Sequence, residues 1–478
     1  MSVVERKAPQ TVNYRDVLPL AIPSSSNRRQ FLPVNGSAFS YSGSNIIRID
    51  VNADSMLDTQ HSYLQFTLKN TAAVANTSLA CDEGIPWISR LRIESGGVTL
   101  EDINEYGRLY ALLQNAQMSV GKNACENSLV MGNNDILESP AAAAANFSRT
   151  PYTKSYKSAT LADFEIARRV GGVAGALNGV PTAIIRNAQQ TFCCPLFSGI
   201  LNCDKYIPLI LMNAGITIEL TLQRPNLIGI TDVAGAVGVT DYEISDCRYC
   251  AHLVDMDRNF YDALRGEMAL TGSLAIHGQT WRHFNSQISE GAGGSQSLNI
   301  PARMKSIKSI FSTFRGSTLT SAEGSYSTSV FQRCAINGWQ YRIGSVYYPQ
   351  AQIPCGVTAT DCVMAPTCME LLKAFGKVGD VVSDANFGAA NFNQGNACDA
   401  VVGKTNLQTF AIGYDLEAFQ RSALESGIDT ANRALPISLE LSLAIAPPAG
   451  SGGITCDSYC VADAFFYVNA DGTMTPST

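Results

Sequence analysis

Histidine and tryptophan are scarce in this chain of 478 residues, at four and three, and only 16% of its residues are charged. His61, His252, His277 and His283 include no His-x-His pair. The clustered imidazoles and carboxylate with which a two-domain cupin holds a metal on its barrel wall are therefore missing. Cys355, Cys362 and Cys368 are spaced too loosely for a zinc knuckle, and no paired Cys-x-x-Cys follows. There is no Gly-x-Ser-x-Gly nucleophile elbow. Gly403-Lys404-Thr405 ends like a phosphate-binding loop, but Cys398 stands where the motif needs its first glycine, and Asn391 to Ala397 does not read as a strand. Asp255 and Asp257 suggest loop capping and no more. We expect no catalytic residue, no cofactor-binding residue and no metal ligand, hence no enzyme and no cofactor.

Other absences narrow the class. No apolar run approaches the ~18 residues of a membrane span, and no signal peptide is visible. The net charge is −7, and residues 1–20 set Arg6, Lys7 and Arg15 against Glu5 and Asp16, a side-chain balance of +1. An arm that neutralises packaged nucleic acid needs a dense Lys/Arg run, so no sequence-specific nucleic-acid partner is expected. Fourteen cysteines are too few for a disulfide scaffold and read as reduced, mostly buried small hydrophobes. On strands, Cys193 and Cys194 would face opposite ways, as would Cys247 and Cys250. The triplets at Asn35, Asn76 and Asn146 match the glycosylation pattern, but such matches arise by chance in an Asn/Ser/Thr-rich chain and are read as unmodified.

What is present is strand signal, and it repeats. Ile216-Thr217-Ile218-Glu219-Leu220-Thr221-Leu222 returns as Ile437-Ser438-Leu439-Glu440-Leu441-Ser442-Leu443, each alternating aliphatic and polar residues at the period of a half-buried strand. Tyr249-Cys250 and Tyr459-Cys460 follow in the same order. The length exceeds the ~250 to 300 residues at which single cores stop growing, so the pattern predicts one β-rich unit used twice. Further alternations over Ile47–Val51, Leu64–Leu68 and Leu91–Ile93 predict early strands. Beyond Gly96-Gly97 a helix is expected, capped by Thr99 with Asp102 and carrying Ile103, Tyr106, Tyr110 and Leu113 on one face. Its counterpart has Pro366 at the first helical position, a Cys368, Leu371, Leu372, Phe375 stripe and Gly376 at the exit.

These readings organise the chain as an all-β protein with short helices and long inserted loops. Residues 1–30 form an extended N-terminal arm, 31–265 the first sandwich and 266–478 the second, with a short helix over Asn259–Met268 near the boundary. Long loops are expected over 119–190, 312–328 and 377–405, and a loop of such length is usually a functional or contact element.

The order of several short motifs is similar to that in a known family. Phe31 to Leu68, with Pro33, Asn35-Gly36-Ser37, Ile46 to Val51, Leu57-Asp58 and Ser62-Tyr63-Leu64, resembles the opening of double jelly-roll major capsid proteins of small eukaryotic DNA viruses of the virophage and polinton-like kind. Ile88 to Leu100 followed by Glu101, Tyr106 and Leu109, then Tyr206-Ile207-Pro208-Leu209, Tyr347-Tyr348-Pro349, and Phe410 to Asp429 with Asp415-Leu416-Glu417 and Ser426-Gly427-Ile428 continue the resemblance. It implies two tandem eight-stranded jelly rolls and a homotrimer whose six rolls make a pseudo-hexameric block tiling an icosahedral virion shell. Implied partners are neighbouring capsomers, penton and minor capsid or cement proteins, and an internal membrane; the implied location is the virion. The chain is short for this family, which argues against large surface towers. Competing readings are a minor capsid or vertex protein with related rolls, and a tandem carbohydrate-binding sandwich using Trp87, Trp281 and Trp339 as sugar platforms.

Overall fold

A computed structural model describes residues 23–71, 77–80, 85–117, 146–147, 156–157, 183–185, 189–203, 205–231, 241–317, 328, 331–356, 362–376, 387, 392, 409–418, 426–431, 435–449 and 452–477. Most of the expected arm and most of the loops at 119–190 and 377–405, with Gly403-Lys404-Thr405, lie outside these residues.

The first roll contains β1 (Ser24–Phe31), β2 (Ile46–Val51), β3 (Met56–Asn70), β4 (Ile88–Ser95), β5 (Val98–Asn104), α1 (Tyr106–Gln117), β6 (Gln189–Cys194), β7 (Ile216–Leu222) and β8 (Tyr242–Met256). Helix α2 (Arg258–Thr271) leads into the second roll: β9 (Ser273–Ile288), β10 (Gly294–Ile300), β11 (Ile307–Gly316), β12 (Ile336–Ile343), β13 (Val346–Pro354), α3 (Ala365–Ala374), β14 (Ala411–Asp415), β15 (Ile437–Leu443) and β16 (Ile454–Asn469). In each roll two antiparallel sheets face one another. Their orders are β1-β8-β3-β6 against β2-β7-β4-β5, and β9-β16-β11-β14 against β10-β15-β12-β13. Each is a jelly roll, and the strand order of the first is repeated position for position in the second.

The repeated heptapeptides are β7 and β15, each central in its sheet, with the same alternation of buried and half-buried residues. Ile216, Ile218, Leu220 and Leu222 enter one core, and Ile437, Leu439, Leu441 and Leu443 the other. Burial of such a side chain stabilises by about 1.5–3 kcal/mol, so the aliphatic period also pins the register: a one-residue slip would turn all four toward water. The Tyr-Cys pairs do lie on matching strands, but they face opposite ways. A bulge at Asp246 (φ +50°) shifts the register of β8 and reverses its faces, so Tyr249 enters the core while Tyr459 points out of its roll.

The helix expected to begin at Thr99 begins instead at Tyr106. Gly96 and Gly97 have φ of +56° and +83°, the left-handed pair of a two-residue hairpin, so the chain reverses and β5 pairs with β4. The capping pattern of Thr99 and Asp102 is a cross-strand one: Arg90 Nε donates to Asp102 Oδ1 at 2.7 Å, and Thr99 Oγ1 donates to Glu94 at 3.2 Å. The second expected helix is α3, with Pro366 in its first turn and Leu371 buried. Part of the expected 312–328 loop is strand, because Ser312 to Gly316 continue the pairing of β11 with β16. Residues 24–30, read as part of the arm, pair throughout with β8. Their polar sequence, Ser-Ser-Ser-Asn-Arg-Arg-Gln, hides an edge strand whose side chains are all exposed.

Candidate functional site

The two rolls meet through the edge of the first and the face of the second, and this junction contains the most unusual chemistry among the described residues. Helix α1 closes the gap between β5 and β6, with Tyr106 and Tyr110 hydroxyls donating to the carbonyls of Phe197 and Pro195 at 3.0 and 3.1 Å. Its opposite side lies on the second roll's β9-β16-β11 face. There Arg108, fully buried, places Nε 3.0 Å from Asp457 Oδ2 and donates to Thr313 Oγ1 at 3.2 Å. The guanidinium also sits 4.6 Å from the centre of the Phe331 ring. Arg315 lies 3.5 Å from both Asp457 and Glu105. The other oxygen of Asp457 meets His283 Nε2 at 3.0 Å and accepts from Asn285 Nδ2 at 2.9 Å. The Tyr459 hydroxyl completes the contact by donating to the Glu105 carbonyl at 3.1 Å.

Burial alone would push the Asp457 carboxyl up, but Arg315, His283 and Arg108 outweigh it and hold the group well below the usual carboxylate range. Burial, reinforced by neighbouring Arg315, pulls Arg108 down to about 10, so it keeps its charge at neutral pH. The Oδ2 contacts are ion pairs without aligned hydrogen bonds, and Nε and Nη1 of Arg315 have no hydrogen-bond acceptor. A cluster of this kind specifies one mating geometry more than it stabilises.

A second stitch lies on β5. Glu101 accepts from the Gly199 N–H at 2.8 Å and, across the junction, from the Trp281 N–H at 3.4 Å. Burial pushes this carboxyl up to about 7, against the opposing pull of the Ser198 hydroxyl and the N–H groups of Gly199, Trp281 and Ile200. Backbones touch here. A Cβ on Gly199 would stand 1.6 Å from the Gln279 carbonyl oxygen, and one on Gly278 would stand 2.7 Å from that of Gly199.

None of these residues stands out in the sequence as a site, yet the signal exists: Arg108 and Asp457 are lone charges in otherwise apolar or small runs. The residues weighed for metal or ligand chemistry are dispersed. His61 pairs with Asp58 at 2.7 Å and lies 5.9 Å, ring to ring, from His252, whereas His277 and His283 reach Asp463 and Asp457. Cys355 is buried, Cys368 half-buried and Cys362 exposed. Among the described residues no group of three or more His, Cys, Asp or Glu is placed to hold a metal, and no helix is long and apolar enough to cross a membrane. Trp87 and Trp339 are fully buried and offer no sugar platform. Cys193 and Cys194 do occupy opposite faces of β6, half-buried and buried. Asn35 uses its side chain to bridge Ile46 O and Arg48 N.

The architecture is thus a double jelly roll: two complete rolls in one chain, locked by a charged junction. Solved structures share it along their whole length. A chain from the cryo-EM structure of the Sputnik virophage matches over 100% of this chain and 93% of its own, at 11% identity and a TM-score of 0.58. The Faustovirus major capsid protein matches over 94% and 91%, at 10% and 0.54, and the mavirus major capsid protein over 100% and 96%, at 11% and 0.51. At such identities the likeness establishes the fold. No protein-family model and no curated protein matches the sequence.

Proposed function

We propose that this chain is the major capsid protein of a DNA virus, a non-catalytic building block whose homotrimers tile an icosahedral shell. The observation that carries the reading is the repeat of one roll, strand for strand, joined by a fixed junction and matched end to end by major capsid proteins. Two rolls per chain let three chains supply six corners, the geometry a hexagonally tiled facet needs. The domain division follows: an arm up to about the start of β1, a first roll ending in β8, and a second beginning with β9.

Orientation is part of the proposal. The segments between β3 and β4, β5 and β6, and β7 and β8, like those in the second roll, leave from one end of the sandwich. At the other end the chain enters β1, where the Asp257 N–H donates to the Pro23 carbonyl, and α2 crosses between the rolls. We assign the loop end to the outside of the shell and the entry end to the inside, where the preceding arm reaches neighbouring capsomers, minor capsid proteins or an internal membrane.

Purified protein tests this directly. The expected species has three times the 51.2 kDa chain mass and a six-cornered outline by negative-stain microscopy. A chain that stays monomeric at every concentration and in infected-cell extracts would overturn it.

A further inference from the structure

Of the three tryptophans, Trp281 alone is not fully buried, and it stands in the wall of a cavity of about 240 Å³ on the β9-β16-β11-β14 face of the second roll. The C-terminal end of α3 borders this cavity on one side and Leu113 of α1 on another. One wall is aromatic. Phe311 is buried and stacks with two half-buried rings, its centre 5.9 Å from that of Trp281 at an interplanar angle of 26° and 4.3 Å from that of Phe375 at 23°. The rest of the lining is largely polar: Lys308, Lys373, Asp415 and Glu417, with Gln279 and Ser309. Among the described lining residues the charges balance, and the lysines are already engaged. Lys308 Nζ lies 2.9 Å from Glu417 Oε1 and 3.5 Å from Asp463 Oδ1, and Lys373 Nζ lies 2.8 Å from Glu370 Oε2. Other contacts hold these groups in place: Asp415 Oδ1 accepts from the Glu417 N–H at 2.9 Å, and Asp463 Oδ2 accepts from the Ser306 hydroxyl at 2.8 Å. Glu417 Oε1 is buried and, despite the nearby ammonium, accepts no aligned hydrogen bond.

We propose that this cavity binds one neutral pyranose ring, the terminal unit of a glycan. A pyranose has the same two-sidedness as the lining: a C–H face that packs on aromatic rings, and an edge of hydroxyls that each donate and accept. Such hydroxyls can use both members of an ion pair, donating to the carboxylate and accepting from the ammonium. One of them also fills the open acceptor on Glu417, which is costly to leave unmade in a buried place. The size agrees, since the cavity falls just short of the roughly 300–1,000 Å³ that drug-sized ligands occupy. One ring fits; a long oligosaccharide must continue into solvent. Glu370 and Asp463 stand behind the two lysines and add negative charge, which makes an alkylammonium ion the rival ligand. The sugar is favoured because both lysine ammonium groups would oppose a cation, whereas each can donate to a hydroxyl. The proposal stands apart from the shell reading and assigns this face a ligand of its own.

The test titrates the full chain with the methyl glycosides of glucose, galactose, mannose and N-acetylglucosamine, and separately with tetramethylammonium chloride. Because Trp87 and Trp339 are fully buried, a saturable change in tryptophan fluorescence reports on Trp281. At least one glycoside should give that change, and saturation-transfer NMR should reach its ring C–H protons. The same NMR titration then follows two variants. Glu417→Gln keeps the side chain's size, removes its charge and should weaken binding by roughly ten-fold or more; Trp281→Leu removes the platform and should weaken it at least as far. Both should melt near wild type, and the wild-type titration stands by itself if Trp281→Leu folds poorly. Glycosides without effect at high millimolar concentration, binding undiminished in the folded variants, or saturation by tetramethylammonium alone would overturn the sugar site. Each of those results leaves the shell reading where it was.

Discussion

At the scale of single residues, the junction turns on Asp457. Its carboxylate is the shared counter-charge of two buried guanidiniums, so Asp457→Ala leaves Arg108 and Arg315 without it in a water-poor contact. The expected loss is about 3–5 kcal/mol, measured by urea unfolding, and Asp457→Asn should recover only part of it. Because the folded carboxyl is held below its usual range, this contribution is present at neutral pH and is lost as pH falls through acid values. Glu101 has the opposite sign. Raised from 4.5 to about 7, it favours the folded chain when protonated, so its contribution is complete below about pH 4.5 and declines as pH rises toward 7. The span corresponds to about 3 kcal/mol. Comparing melting temperatures of wild type and Glu101→Gln between about pH 5 and pH 8 isolates the effect: the wild type should fall relative to the variant with rising pH, and parallel profiles would contradict it.

At the scale of elements, the backbone contact between Gly199 and Gly278 sets how closely the first roll approaches β9. Gly278→Ala should cost about 1–3 kcal/mol, because the nearest atom it meets, the Gly199 carbonyl oxygen, is backbone and has little freedom to move. Exchange of the Trp281 N–H, which donates to Glu101, should quicken in that variant. How far elements could be read in advance depended on whether their cues were local. β7 and β15 were legible because alternation is a property of seven adjacent residues. α3 was legible from a proline, an apolar stripe and a glycine. β5 was misread as helix because Thr99 and Asp102 fit a cap by spacing, and only pairing with β4 reveals them as cross-strand partners. β1 was missed for the converse reason: a strand whose side chains from Ser24 to Gln30 all face solvent carries no apolar period.

At the scale of the whole molecule, duplication was legible and the junction was not. Repetition leaves a trace in one dimension, but the meeting of Arg108 with Asp457 joins residues from opposite halves of the chain. Each roll has its own interior, and the two are joined across the junction into one continuous buried apolar cluster. Calorimetry should therefore show a single unfolding transition, and two resolved transitions would mean that the rolls melt independently. The Gly199–Gly278 contact has a further consequence. Where two backbones already touch, no side chain is left to compress, so the rolls can come no closer at this point. If such subunits pave a shell, as proposed, that limit places its curvature at the seams between subunits and not between the two rolls of one chain.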